Sequence, residues 1–159
     1  MIRHLFISIT FLLLGNLTPE YSLAQLNTFS FADIDSLNRV EKREVVVFIH
    51  TDWCKYCHKM QSTTFKNDKV IALLNDHFYF ISLNAETKQD ITYQGYTFKF
   101  KPTGGNTGVH EIAEQLGTIE GKLNYPTISI LNEKNEIVFQ YDGLMKSNEL
   151  SAVLNELNK

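Results

Sequence analysis

Residues 45–57, with the sequence VVVFIHTDWCKYC, combine a strongly apolar run with two closely spaced cysteines. Val45 to Ile49 form a continuous β-branched and aromatic run, which is typical of a central strand covered on both faces. A turn follows at Thr51 to Trp53, and the composition after it predicts a helix. The only two cysteines of the chain, Cys54 and Cys57, are therefore predicted at the junction of a buried strand and a helix.

Strand and helix patterns alternate on both sides of this segment. Ser30 and Asp33 form a capping box that predicts a helix. One side of that helix would carry Phe31, Ile34, Leu37 and Val40. A helix is predicted from Cys54 to about Asn67, then a short helix capped by Asp68, then a buried strand at 78–83. This is a strand–helix–strand unit with a right-handed crossover.

The C-terminal third predicts a hairpin and a helix. Residues 127–131 and 136–141 form the hairpin, with Ile137, Phe139 and Tyr141 on one face. Ser147 would cap the final helix. The element order predicts one α/β domain with a central mixed β-sheet flanked by helices.

A long connection, about 88–111, precedes the last hairpin. Loops usually run ~4–6 residues, so this segment is predicted to be an insertion. It would contain a small hairpin turning near Gln94 and Gly95, and a glycine-rich turn at 103–108. A helix is predicted from Val109 to Leu116, ended by Gly117.

Residues 1–24 have the pattern of a secretory signal peptide. A basic start, an apolar run about ten residues long and small residues before position 25 fit signal cleavage, and the run is shorter than the ~20 residues of a membrane span. Residues 25–159 then form an exported domain, periplasmic or extracytoplasmic, with no membrane span after signal removal. A formal net charge of −3 gives no positive field for nucleic acid.

Two cysteines so close together are poorly placed for structural stabilisation, because a disulfide stabilises less when it closes a smaller loop. At a helix N-terminus, unpaired N–H groups and the helix dipole favour the thiolate of Cys54, which is the nucleophile of disulfide exchange. Cys54 is expected to be exposed, and Cys57, one turn later and more buried, can then resolve a mixed disulfide. Trp53 would pack beside the pair and limit access.

The chain resembles the thioredoxin family at two sites, and the resemblance covers roughly residues 30–157. Thr51 to Cys57 after a Val-rich strand resembles the family's active site, and Tyr125-Pro126-Thr127 resembles its cis-proline loop. Thr64-Phe65 and Asp68 to Val70 are similar to secreted thioredoxin-like domains such as the C-terminal domain of the thiol:disulfide interchange protein DsbD. The resemblance implies a thioredoxin fold, a redox disulfide Cys54–Cys57, and substrate docking at Trp53, Tyr125, Pro126 and Thr127.

The resemblance also implies a thiol–disulfide oxidoreductase acting on protein disulfides in the reducing direction, with a protein electron donor or acceptor and no cofactor. Two positions depart from the family pattern. Phe48 stands where many members have a buried Asp, and Gln61 stands where DsbD-like domains have an acidic residue. Proton removal from Cys57 would then use water, His50, His58 or another group.

Other interpretations of the cysteine segment stay open. Lys55, Tyr56 and His58 could tune the potential or contact partners. Cys54, Cys57 and His58 also match the pattern of c-type haem attachment, which would make the protein an electron carrier. No metal site is predicted, because zinc needs four ligands. A thioredoxin-fold binding module with weak redox activity is the remaining alternative.

Overall fold

A computed structural model describes residues 25–105 and 107–159, so the predicted signal peptide lies outside the described residues. The strands are β1 (Glu44–His50), β2 (Phe78–Asn84), β3 (Ile91–Tyr93), β4 (Tyr96–Phe98), β5 (Phe100–Gly104), β6 (Thr107–His110), β7 (Thr118–Ile119), β8 (Lys122–Leu123), β9 (Thr127–Leu131) and β10 (Ile137–Asp142). The helices are α1 (Phe31–Val40), α2 (Lys55–Ser62), α3 (Asp68–His77), α4 (Glu111–Gly117) and α5 (Ser147–Leu157), with a 3₁₀ turn at Thr64–Lys66.

The central sheet has the strand order β10-β9-β1-β2. β1 runs parallel to β2 and antiparallel to β9, and β10 is antiparallel to β9. β1 is therefore an inner strand with neighbours on both sides, which explains its unbroken apolar sequence. The predicted mixed sheet flanked by helices is confirmed.

Each face of the sheet has its own hydrophobic core. Val46 and Phe48 of β1 lie in one core, with both cysteines, Met60 of α2 and buried side chains of α3 and α5. Val45, Val47 and Ile49 lie in the other core, against α1 and α4. Cys54 and Cys57 therefore lie on the face covered by α2, α3 and α5.

Helix termini differ in detail from the sequence predictions. Asn67, not Asp68, is the N-cap of α3, and its side chain accepts hydrogen bonds from the N–H groups of Lys69 and Val70. Lys146, not Ser147, is the N-cap of α5, where the Glu149 carboxylate accepts from the Lys146 N–H. The helix after Cys54 ends at Ser62 and is followed by the 3₁₀ turn.

The apolar faces predicted for α1 and β10 are also partly wrong. Val40 is 90% exposed because α1 ends there and the chain leaves the core. In β10, the pairing with β9 shifts between Ile137 and Phe139, so the simple alternation predicted there does not hold.

The segment between β2 and α4 contains two small hairpins. β3 and β4 form the predicted hairpin around Gln94 and Gly95, and both of these residues have positive φ. β5 pairs with β6, which the sequence did not predict. Val109 and His110 belong to β6, so the predicted helix begins two residues later, at Glu111.

Buried His110 connects the two ends of the segment between β2 and α4 by hydrogen bonds. Its N–H donates to the carbonyl of Ala85, and its ring Nε2 donates to the carbonyl of Gln89 at 3.1 Å. Its Nδ1 accepts from the N–H of Ile112 and so caps α4. The two hairpins are therefore attached to the domain directly after β2.

Candidate active site

Cys54 and Cys57 form a disulfide across the first turn of α2. Cys54 is the N-cap of the helix, and its Sγ accepts a hydrogen bond from the N–H of Cys57 at 3.1 Å. The N–H groups of a helix N-terminus stabilise negative charge. Cys54 is thus the sulfur that this geometry favours as a thiolate after reduction.

The disulfide is more deeply placed than the sequence suggested. Cys54 is only 4% exposed and Cys57 is 0% exposed, because both pack in the core that contains Phe48 and Met60. The expectation of a freely exposed Cys54 is wrong for this disulfide form. The expected order of accessibility holds, since Cys54 alone has any surface through which a partner can approach.

Two aromatic rings lie beside the disulfide. Trp53, the residue before Cys54, is 65% exposed, and its ring lies edge-on to that of Tyr125 at a centroid distance of 5.8 Å. Tyr125 is half-buried and packs against the core that contains both cysteines. Burial raises the pKa of Tyr125 to about 12, and the charges of Glu86 and Glu114 act in the same direction.

The Tyr125–Pro126 peptide bond is cis. Thr127 begins β9 and pairs with Ile49 near the end of β1, so this loop lies at the same end of the sheet as the turn that leads to Cys54. Pro126 and Thr127 are buried, and the Thr127 hydroxyl donates to the carbonyl of Asn124. Of these three predicted docking residues, Tyr125 is the one with an accessible side chain.

A sequence profile of the thioredoxin-like domain matches residues 31–158. The chain belongs to the thioredoxin-like family. No protein of curated function matches the sequence. Among solved structures, the thioredoxin-like domain is similar to one titled DsbH oxidoreductase, with 16% identity, a TM-score of 0.60, and coverage of 88% of this chain and 90% of the other.

Two further structures show the same fold. A thioredoxin from Thermus thermophilus has 20% identity and a TM-score of 0.59, over 84% of this chain and 87% of its own. The oxidised DsbD C-terminal domain of Neisseria meningitidis has 16% identity and a TM-score of 0.53, over 84% of this chain and 100% of its own. The predicted thioredoxin fold is confirmed.

Family, fold and cysteine pair together support a thiol–disulfide oxidoreductase. They also favour disulfide exchange over haem attachment at Cys54, Cys57 and His58, because each sulfur is bonded to the other. Within residues 25–105 and 107–159, no group of three or more His, Cys, Asp or Glu side chains is arranged to hold a metal ion.

The turn between β1 and α2 is held by side chains from two elements. The Nε2 of His58 donates to the carbonyl of Asp52 at 2.7 Å, since a carbonyl can only accept. The amide of Asn84, at the end of β2, donates to the Asp52 carboxylate at 3.1 Å. His58 thus fixes the turn that presents Cys54, while Lys55 and Tyr56 are exposed and free to meet a partner.

Phe48 and its neighbours form the region behind Cys57 in this thioredoxin-like domain. Phe48 is fully buried, with the ring of Phe65 at 4.8 Å and that of His50 at 5.3 Å. Gln61 is half-buried and lines a cavity of about 260 Å³ together with Phe48, Phe65 and Ser82. Both departures from the family pattern therefore lie in one region.

Sequence reasoning missed two residues of this site, Asn84 and Glu86. Glu86 accepts a hydrogen bond from the indole Nε1 of Trp53 at 3.1 Å, and its own N–H donates to the side chain of Asn84. Asn84 is the last residue of β2 and Glu86 follows it, and β2 is parallel to β1. The carboxyl ends of parallel strands meet at one edge of a sheet, so the position of Asn84 and Glu86 at the carboxyl end of the second apolar strand was the available signal.

Proposed function

We propose that this protein is an exported thiol–disulfide oxidoreductase that reduces disulfides of other proteins, with Cys54 as the attacking sulfur and Cys57 as the resolving sulfur. The observation that carries the proposal is the hydrogen bond from the N–H of Cys57 to Cys54 Sγ at the N-cap of α2. A thiolate at that position is stabilised, and the thiolate is the form that attacks disulfides.

The reaction runs in two exchange steps. The Cys54 thiolate attacks one sulfur of a substrate disulfide, forming a mixed disulfide and releasing the other substrate sulfur as a thiolate, which takes a proton from water. Cys57 then loses its proton and attacks Cys54 Sγ, which releases the second substrate thiol and forms the Cys54–Cys57 disulfide. Two electrons pass to the substrate, and a protein electron donor must restore the dithiol.

Substrate docking would use the aromatic surface around the disulfide. Trp53, Tyr56 and Tyr125 supply exposed or half-exposed rings there, and aromatic side chains contribute large contact areas at protein interfaces. Lys55, which is exposed between the cysteines, adds a positive charge to this surface. The backbone around Pro126 and Thr127 would contact an extended substrate segment.

Reducing direction and export rest on different observations. The direction is proposed from the resemblance of Thr64-Phe65 and Asp68 to Val70 to DsbD-like domains, together with the similar fold of the DsbD C-terminal domain. Export is proposed from the signal-like sequence of residues 1–24. Among the helices of the part of the chain that the structure describes, none has the length and hydropathy needed to cross a bilayer.

Reduction of insulin by the purified domain, with dithiothreitol as electron source, tests the proposal. Wild type is expected to accelerate reduction, and Cys54→Ser is expected to lose the acceleration because the attacking sulfur is gone. Cys57→Ser should form a mixed disulfide with the substrate that does not resolve. Wild type and Cys54→Ser acting alike would contradict the proposal.

A thioredoxin-fold binding module with weak redox activity is the second candidate. It is favoured by the 4% exposure of Cys54 and by the absence of an acidic side chain at positions 48 and 61. A binding module would retain its partner in the Cys54→Ser variant, whereas an exchange enzyme holds its partner through the Cys54 sulfur. Capture of the same partner by wild type and by Cys54→Ser would favour the binding module.

A further inference from the structure

The resolving sulfur needs a proton acceptor. Cys57 is 0% exposed and lies among apolar side chains, including Phe48 and Met60. Such an environment disfavours the charged thiolate, so the proton of a Cys57 thiol must be taken by a group close to it as the sulfur attacks. Position 48, on the β1 face that packs against Cys57, is a phenylalanine and cannot accept a proton.

His50 lies on the same face of the sheet, one pleat beyond Phe48. Side chains two apart on a strand share a face, and Phe48 packs in the core that contains Cys57. The imidazole of His50 stacks on the Phe48 ring at 5.3 Å with an interplanar angle of 21°. The apolar face of β1 thus ends in a titratable group at the edge nearest α2.

The apolar face of the neighbouring strand, β2, also ends in a polar residue. On β2, Phe78 and Phe80 pack in the core of this face, and Ser82, the next residue on the face, pairs in register with Phe48. The Ser82 hydroxyl lies 3.0 Å from His50 Nε2. His50 and Ser82 form a polar pair at the end of an apolar face, and this pair fixes the orientation of the imidazole ring.

We infer that His50 takes the proton of Cys57 when Cys57 attacks the mixed disulfide. This role rests on the proposed function, because a proton acceptor is needed only if Cys57 resolves a mixed disulfide. The proton moves from Cys57 Sγ to the imidazole, the sulfur electron pair forms the bond to Cys54 Sγ, and the substrate sulfur leaves as a thiolate. The imidazolium then returns the proton to water or to that thiolate.

The charges around His50 suit this role. Burial lowers the pKa of His50, although the Asp52 carboxylate and a hydrogen bond to the Thr51 backbone act in the opposite direction, and the nearby His58 of α2 adds a smaller lowering. β2 presents only the neutral Ser82 and Asn84 at this end, and Lys66 of the 3₁₀ turn lines the same cavity as Ser82. A histidine whose pKa lies below its ordinary value is uncharged at neutral pH and can accept a proton.

The other imidazole and the carboxylates near the disulfide are engaged elsewhere. His58 is exposed and its Nε2 donates to the carbonyl of Asp52. The Asp52 carboxylate accepts from Asn84, and the Glu86 carboxylate accepts from Trp53 on the exposed side of the site. On the face of β1 that Cys57 packs against, Glu44 is at the far end of the strand, and His50 is the titratable group at the end that leads to α2.

A two-phase thiol assay separates this role from the proposed function. The reduced domain reacts with 5,5′-dithiobis(2-nitrobenzoate) in a stopped-flow spectrometer. The first thionitrobenzoate released reports the attack of Cys54, and the second reports the attack of Cys57 on the mixed disulfide. In His50→Gln, the second phase is expected to slow at least ~10-fold at pH 7, within the ~10²–10⁴-fold range of general base catalysis, with the first phase changed less than twofold.

The matched control is His77→Gln, which removes an exposed histidine at the end of α3, outside the site, and is expected to leave the second phase within twofold of wild type. The pH profiles are an independent check, because the second-phase rate of wild type should fall more steeply than that of His50→Gln as the pH falls and His50 becomes protonated. An unchanged second phase in His50→Gln, or a wild-type profile that falls no more steeply than that of His50→Gln, would overturn the role. A wild type that releases no first equivalent would overturn the proposed function itself.

Discussion

The indole Nε1 of Trp53 donates a hydrogen bond to a carboxylate oxygen of Glu86 at 3.1 Å. This bond joins the residue before the attacking cysteine to the segment that follows β2. Because Trp53 also contacts Tyr125 edge-on, the orientation of both aromatic rings at the disulfide depends on Glu86. The start of the long segment between β2 and α4 is therefore part of the active site.

Replacing Glu86 with Ala should loosen Trp53 without unfolding the domain. The lost hydrogen bond corresponds to about 1 kcal/mol, or about a fivefold loss in the rate of attack on a protein substrate if the ring must be reordered. Trp53 is the single tryptophan of the chain, so its emission reports on this site alone. Glu86→Gln keeps an acceptor and is expected to retain the wild-type emission and rate. An unchanged emission in Glu86→Ala would contradict the predicted ordering.

Phe48 is expected to act through packing. Its side chain is fully buried between Phe65 and the sheet, and truncation of a buried Phe typically costs about 3–5 kcal/mol. Phe48→Ala should lose that much free energy of unfolding in urea denaturation, and Phe48→Leu should lose less because most of the volume stays. A loss below ~1 kcal/mol in Phe48→Ala would show that the core relaxes around the site.

Gly108 is expected to be essential for the second hairpin. A Cβ there would lie 2.4 Å from the carbonyl oxygen of Lys101 and 2.4 Å from the Phe100 ring, and a backbone carbonyl in a ladder cannot move aside. Gly108→Ala should raise amide hydrogen exchange in β5 and β6 while leaving β1 and β9 protected. Thr103→Ala, at an exposed position of the same hairpin, is the control. Normal protection of β5 in Gly108→Ala would contradict the prediction.

Stability should fall in mildly acidic solution because of His50. Burial holds the pKa of His50 below 6.5 in the folded domain, so the unfolded chain binds the proton first as pH falls. The free energy of unfolding should therefore decrease from pH 7.5 to pH 5.5, and the decrease should be smaller in His50→Gln. Urea denaturation of wild type and His50→Gln at the two pH values measures the decrease in each protein. The other histidines contribute equally to both decreases, so the difference between them reports on His50. Equal decreases in the free energy of unfolding of the two proteins would contradict the lowered pKa of His50.

The strand, turn and cysteine segment at 45–57 was predictable because its signal is local. An apolar β-branched run and a Cys-X-X-Cys pair carry their own pattern, whatever surrounds them. The positions of the N-caps were less predictable, since Asn67 and Asp68 are both good capping residues and the choice depends on where the preceding 3₁₀ turn ends.

Other features depended on contacts distant in sequence. Val109 and His110 pair with Phe100 and Lys101 across a hairpin, and this pairing overrides the local helical pattern. The contact of Trp53 with Glu86 spans 33 residues and follows only from the parallel alignment of β1 and β2. The burial of Cys54 likewise depends on how α2 packs on the sheet.

Selective alkylation of the reduced domain tests most directly whether the two sulfurs have different roles. Iodoacetamide is added below one equivalent at pH 7 to the folded, reduced protein, and peptide mass spectrometry locates the label. Cys54 is expected to carry nearly all of it, because its sulfur lies at the N-cap of α2 and Cys57 is fully buried. Equal labelling of both cysteines, or preferential labelling of Cys57, would contradict the assignment of Cys54 as the attacking thiolate.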